Sequence, residues 1–213
     1  MAVATGPPVE ERIGRRRALR SLREAAAGCT ACPLYAGATQ TVFGSGPSSA
    51  QLMLVGEQPG DREDVEGEPF VGPAGRVLAE ALEEAEIERD EVYLTNAVKH
   101  FKWRQGRGKR RLHQRPGAGE VKACRPWLEA ELGAVGPEVV VCLGAVAAQA
   151  LLGSGFKVTR DRGTFVEPGF APLATGTIHP SAILRMDDAE ERSLARHELA
   201  RDLAGAAARA AGR

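Results

Sequence analysis

Four short apolar runs punctuate the chain: Gln51-Leu52-Met53-Leu54-Val55, Val92-Tyr93-Leu94-Thr95-Asn96, Val139-Val140-Val141-Cys142-Leu143 and Leu173 to Ile178. Each is short enough for a buried strand. Between them the period changes to that of a helix. Leu19, Leu22 and Ala26 share a face over 15–27, and Gly28 stops that helix. Pro73 suits a first helical turn, followed by Val77, Leu78, Ala81, Leu82 and Ala85 over 74–86. Val121, Cys124, Trp127, Leu128 and Leu132 mark a helix over 120–134. A short Ala-rich helix is expected at 145–152 and a long C-terminal one at 188–211. Residues 57–72 and 99–118 read as loops, and 156–171 as an irregular or hairpin excursion. Strands alternating with helices predict a three-layer α/β/α sandwich around a central, mainly parallel four-stranded sheet. Residues 1–13 are polar with Pro and Gly and predict a disordered tail, leaving 14–213 as one domain.

Charge changes this picture locally rather than globally. Lys and Arg number 28, Asp and Glu also 28, so the whole molecule has no strong field. The distribution is uneven. Glu80, Glu83, Glu84 and Glu86 make one acidic stretch, whereas Lys99 to Gly119 holds eight Lys or Arg and no acid. Such an excess reads as a phosphate-seeking patch, with a mobile basic loop as the plain alternative. No apolar stretch reaches the length of a membrane span and no signal peptide is visible, so a cytoplasmic, monomeric protein without a membrane partner is expected.

Candidate chemistry gathers where the strands end. Gly56, Pro59 and Gly60 break regular structure straight after the first strand, and Glu57, Gln58 and Asp61 crowd onto that turn. Asn96 ends the second strand and His179 follows the fourth. In a parallel sheet these ends face one crevice. Phe70 sits in the rigid Pro69-Phe70-Val71-Gly72-Pro73 loop. An amide, an imidazole, a carboxylate and an aromatic face together suit a flipped base, held by its Watson–Crick edge and its π-face. Taken singly, Asn96 could cap a turn, His179 could satisfy a carbonyl and Phe70 could be core.

The four cysteines are Cys29, Cys32, Cys124 and Cys142. A Cys-x-x-Cys pair in the cytoplasm is usually redox-active or metal-binding. Four thiolates from separate elements suit an iron–sulfur cubane, which tolerates irregular spacing. Zinc and buried structural cysteines are the other readings.

Gly56-Glu57-Gln58-Pro59-Gly60, Lys109-Arg110-Arg111-Leu112-His113, His179-Pro180-Ser181 and the cysteine pattern together give the chain a family likeness. From Cys29 to about Arg185 it resembles the uracil-DNA glycosylase superfamily, in its iron–sulfur branch and within that the UdgX type. Gln58 stands where ordinary members of the branch have Ala, and Leu112 where Ile is more usual. After His179-Pro180-Ser181 the chain reads Ala182-Ile183-Leu184 instead of the Pro-Leu-Ser of many glycosylases. The resemblance implies a [4Fe-4S] cluster on Cys29, Cys32, Cys124 and Cys142. It implies excision of uracil from DNA, single strands preferred, and then a covalent bond from His113 to C1′ of the abasic site. Asn96 and His179 would bind the uracil edge, Phe70 would stack on the base and Gln58 would position base or sugar. Glu57 would stabilise the sugar cation and take the proton of His113. Asp61 and Asp64 would hold the basic loop by charge-assisted hydrogen bonds. Lys109, Arg110, Arg111, Pro180 and Ser181 would contact uracil-containing or abasic DNA. Spacing alone makes His113 a phosphate contact; its covalent role comes only from the resemblance. The alternatives are a turning-over iron–sulfur glycosylase without trapping and a non-catalytic, metal-containing protein that binds DNA lesions.

Overall fold

All four apolar runs become strands with almost every residue buried. In the computed structural model, which describes residues 9–212, the chain runs α1 (Val9–Ala26), β1 (Leu52–Gly56), α2 (Asp61–Glu66), α3 (Pro73–Glu84), β2 (Val92–Asn96), β3 (Trp103–Gln105) and β4 (Arg111–His113). It continues through α4 (Ala118–Val135), β5 (Val139–Leu143), α5 (Gly144–Leu152), α6 (Val158–Asp161), β6 (Leu173–Thr177), α7 (Pro180–Ile183) and α8 (Ala189–Ala211). The main sheet has the order β2-β1-β5-β6 and is parallel throughout.

Pleating sends alternate residues to opposite faces, and each face acquires its own core. Leu52, Leu54, Val139 and Val141 pack with Leu78 and Leu82 of α3 and Leu199 and Leu203 of α8. Met53, Val55, Val140 and Cys142 pack with Leu128 and Leu132 of α4 and Ala147 and Leu151 of α5. Among the described residues, no helix is long and apolar enough to cross a membrane.

The differences from the sequence expectation lie in polar segments. Residues 1–8 of the expected tail lie outside the described residues. Helix α1 begins at Val9 rather than Arg15, with Glu10 and Glu11 in its first turn, where the helix dipole favours acids. The 57–72 loop contains α2, whose Glu63 accepts a hydrogen bond from the Gly60 N–H at 3.1 Å. The 99–118 loop folds back as an antiparallel hairpin, β3 on β4, pairing Trp103 with His113. Within 156–171 there is one turn of helix, α6, and a single bridge from Val166 to Ala174.

Where α3 starts, its backbone presses against the Phe70 loop. A Cβ on Gly75 would stand 1.9 Å from the Phe70 carbonyl oxygen, so only glycine fits. Gly75→Ala must push the two segments apart. It should lower the stability measured by urea denaturation by about 1–3 kcal/mol, the usual cost of overpacking.

Candidate active site

β2 lies on one side of β1, and β5 and β6 on the other, so the sheet reverses its winding next to β1. An open crevice of about 890 Å³ sits at these strand ends, as the rule for parallel sheets requires. Glu57, Gln58, Phe70, Asn96 and His179 all line it, and so do His113, Arg115 and Arg185.

Asn96 is buried and pairs across the sheet with Gly56. A Cβ at Gly56 would meet Asn96 Oδ1 at 2.3 Å and the Phe70 ring at 2.7 Å, so the missing side chain lets amide and ring converge. Phe70 has a left-handed backbone, φ 57°, uncommon for a residue with a side chain. Two ties over-determine it. Arg89 Nη2 donates to the carbonyls of Phe70, at 2.9 Å, and Pro69. Buried Glu63 accepts from the backbone N–H of both Gly60 and Gly72, joining the β1 turn to the Phe70 loop.

His179 follows β6 and caps α7. Its Nδ1 accepts from the Ser181 backbone N–H at 3.1 Å and faces the Ser181 hydroxyl at 2.8 Å. A backbone donor on Nδ1 places the ring proton on Nε2. Burial, with help from Arg185 and His113, pushes the His179 pKa down to about 4, so the ring is neutral near pH 7. Its centroid is 6.3 Å from that of Phe70. Pro180 is buried in the first turn of α7 and Ser181, which lines the crevice, is turned toward His179 and helps fix its ring.

Glu57 Oε1 lies 3.5 Å from His113 Nε2. Burial raises the Glu57 pKa, opposed by Arg115 and Arg185. Burial and then Arg185 lower that of His113. The crevice therefore sets Glu57 3.5 Å from an imidazole whose charged form is disfavoured.

The hairpin that carries His113 is clamped by two side chains, Gln58 and Arg111. Gln58 spends its amide on the hairpin main chain: Nε2 donates to the carbonyls of Lys102 and Gln114, at 3.2 and 3.0 Å, and Oε1 accepts from the Lys102 N–H. No amide hydrogen is left for a base. Arg111 turns inward, donating to Asp61 Oδ1 and Asp64 Oδ2, both at 2.5 Å, and lies over Phe101 and Trp103. It is a lock, whereas Lys109 and Arg110 remain exposed at the tip. Asp64 is fully buried and also accepts from the N–H and hydroxyl of Thr39.

The cysteines divide three to one. Cys124 lies close enough to Cys32 and Cys29 to feel their charge, and burial above all raises its pKa to about 11. Lys99 N–H donates to Cys124 Sγ and Trp127 Nε1 to Cys29 Sγ, both at 3.2 Å. Cys142 stands apart, next to last in β5 between Val55 and Gly176, wholly buried in an apolar core. The expected four-cysteine set therefore loses Cys142 to the core.

Sequence reasoning did not single out Glu63, Arg89 or Arg185. Glu63 was legible, since an acid three residues after Gly60 follows the capping-box spacing. Arg89 and Arg185 carry no local signal, because both act on residues reached only by the fold.

Comparison with known proteins agrees with this geometry. A family model described as the Uracil DNA glycosylase superfamily matches residues 43–204. The chain is 34% identical over 181 residues to the Type-4 uracil-DNA glycosylase of Thermotoga maritima, covering 84% of this chain and 90% of that one. It is 33% identical over 174 residues to the Type-4 enzyme of Pyrobaculum aerophilum, covering 78% and 85%. A Type-5 uracil-DNA glycosylase of Thermus thermophilus is 31% identical over 183 residues, covering 78% and 73%.

The inward turn of Arg111 is measurable as stability. Arg111→Ala leaves a buried carboxylate short of its counter-charge and should cost about 3 kcal/mol in urea denaturation. Lys109→Ala and Arg110→Ala, at the exposed tip, should each stay within about 0.5 kcal/mol.

Proposed function

The chain belongs to the uracil DNA glycosylase superfamily, and we propose that it excises uracil from DNA. The observation that carries this reading is His179, neutral and fixed as an Nε2 donor in the crevice that Asn96 and Phe70 also line. A uracil turned out of the strand stacks on Phe70 and presents its edge to Asn96 and His179. As the bond from C1′ to uracil N1 breaks, the base leaves with the electron pair and the sugar becomes oxocarbenium-like. His179 Nε2–H stabilises the growing negative charge on uracil, an interaction stronger in the transition state than before it. Glu57 faces the sugar and stabilises the cation. Exposed Lys109 and Arg110, with Arg115 and Arg185 at the mouth, suit the phosphates.

The relatives are Type-4 and Type-5 enzymes, which supports water as the nucleophile that completes the reaction with Glu57 as its base. One observation favours a second reading. His113 Nε2 stands 3.5 Å from Glu57 Oε1, in the place from which water would attack, and its lowered pKa keeps the ring unprotonated. There the unprotonated ring nitrogen bonds to the C1′ cation left when uracil departs, and the resulting imidazolium loses the proton of its other nitrogen to leave a neutral N-alkylated imidazole.

An iron–sulfur cluster suits the grouping of Cys29, Cys32 and Cys124, with buried His100, next to the Lys99 N–H that touches Cys124, as the candidate for a fourth ligand. Such a group would tie α1, α4 and the start of the hairpin segment together, a structural contribution.

Free uracil released from a uracil-containing oligonucleotide, and not from its thymine counterpart, tests the main reading; no release would overturn it. The pH profile follows from the two shifts. Glu57 must be ionised and His179 neutral. Single-turnover release should fall as pH drops through the raised Glu57 pKa, while His179 stays neutral down to about 4. Glu57→Gln should slow release about 10²–10³-fold and erase that limb. The nucleophile is decided on a denaturing gel. Many turnovers without a denaturation-resistant complex mean water. One turnover with such a complex, lost in His113→Ala while uracil release continues, means capture by His113.

A further inference from the structure

We infer that Lys99 and Glu131 form a buried charge network whose task is to position Asn96, an inference that rests on Asn96 as a base-binding residue. The two side chains are 1% and 0% exposed and form an ion pair beneath the end of β2. All three hydrogens of the Lys99 ammonium are used: on Glu131 Oε2, on Thr95 Oγ1 at 2.6 Å and on the Asn96 carbonyl at 2.8 Å. Glu131 in turn accepts from Thr95 Oγ1, from Tyr93 Oη at 3.0 Å and from the Gly44 N–H at 2.8 Å. The Phe43 ring closes one side, 5.7 Å from Nζ.

The placement argues for position rather than stability. Asn96 is the last residue of β2, whose outer edge is bridged at Leu94 by Ser45 and whose ladder with β1 runs on through the Ala97 and Val98 N–H groups, so backbone pairing sets the strand end but not the direction of the Asn96 side chain. Pleating turns Thr95 toward Glu131 on one face and Asn96 toward Gly56 and Phe70 on the other. The network therefore grips the strand end from behind, at the Asn96 carbonyl and the Thr95 hydroxyl, and leaves the Asn96 amide free for the crevice. A buried ion pair is a poor source of stability, since the cost of desolvation offsets the attraction and an apolar pair packs as well. Its four hydrogen-bonded partners give it direction, which an apolar pair lacks.

The test is a cycle between the network and Asn96. Lys99→Met with Glu131→Leu removes both charges together and leaves neither unpaired; the Lys99 N–H to Cys124 is untouched. The Gly44 N–H and the Tyr93 hydroxyl lose their acceptor, so this protein should melt below the wild-type temperature, and release is compared at a temperature where both proteins are folded. Single-turnover release by the double variant should slow by about 10- to 100-fold, the scale set by a small misplacement of a reacting group. Added to Asn96→Ala, the same pair of replacements should slow release no further, because residues acting through one another are not additive. Wild-type release in the folded double variant would overturn the inference, and so would losses that multiply in the triple variant. If the double variant does not fold, Thr95→Val takes its place, with a loss of about 3- to 10-fold and the same non-additivity expected. Full release in Thr95→Val, or multiplication with Asn96→Ala, overturns the inference equally. A wild-type protein that releases no uracil removes the functional reading and this inference together. An active wild type with additive losses removes the inference alone.

Discussion

Because the four strands of the main sheet run in one direction, their C-terminal ends open on a single edge, and the residues that follow them must meet there. Glu57 comes off β1, Asn96 off β2 and His179 off β6. β5 ends at Leu143, and Gly144 straight after it adds no side chain and leaves room in the crevice. Two apolar cores, one on each face, fix the sheet, and the sheet fixes the spacing between these groups. The chemistry of the crevice is thus inherited from hydrophobic burial several residues away. The polar residues themselves contribute little to holding the strands.

A second level of order is polar. His113 belongs to no strand of the main sheet, so burial cannot place it. Its hairpin is held instead by a side-chain amide against main chain, at Gln58, and by a two-carboxylate lock on Arg111. These bonds are directional and partly shielded, which suits a segment that must stay put while its tip faces solvent. Glu63 does the same for the Phe70 loop through two backbone N–H groups. The β1 turn, with α2 after it, is therefore the base plate for both the hairpin and the Phe70 loop.

The strands and the convergence of Glu57, Asn96 and His179 were legible because a continuous apolar run needs only its own residues to be read. The hairpin was not legible. Its strands have three residues each and none of them is buried, so no alternation of apolar and polar positions marks them. Arg111 looked like one more cation in a basic loop, since its partners lie 47 and 50 residues away. Gln58 was read as facing the base because a sequence gives a residue's place on a turn but not the direction of its amide. Lys99 and Glu131, 32 residues apart, were hidden for the same reason. Cys142 was ambiguous in principle: a thiol in a valine-rich strand fits a ligand and a small hydrophobe equally well, and packing decided for the latter.

That decision gives Cys142 a different use. Its thiol is 0% exposed, sits between two strand neighbours in the sheet and has its pKa pushed up to about 12 by burial. A thiol-directed reagent attacks the thiolate, so the native fold protects this sulfur both sterically and by withholding ionisation. With the hairpin displaced, Cys142 still lies in the core it shares with Leu128 and Leu132 of α4 and Ala147 and Leu151 of α5. The rate at which Cys142 becomes labelled in native buffer is therefore a clock for opening of the whole sheet, read at one atom.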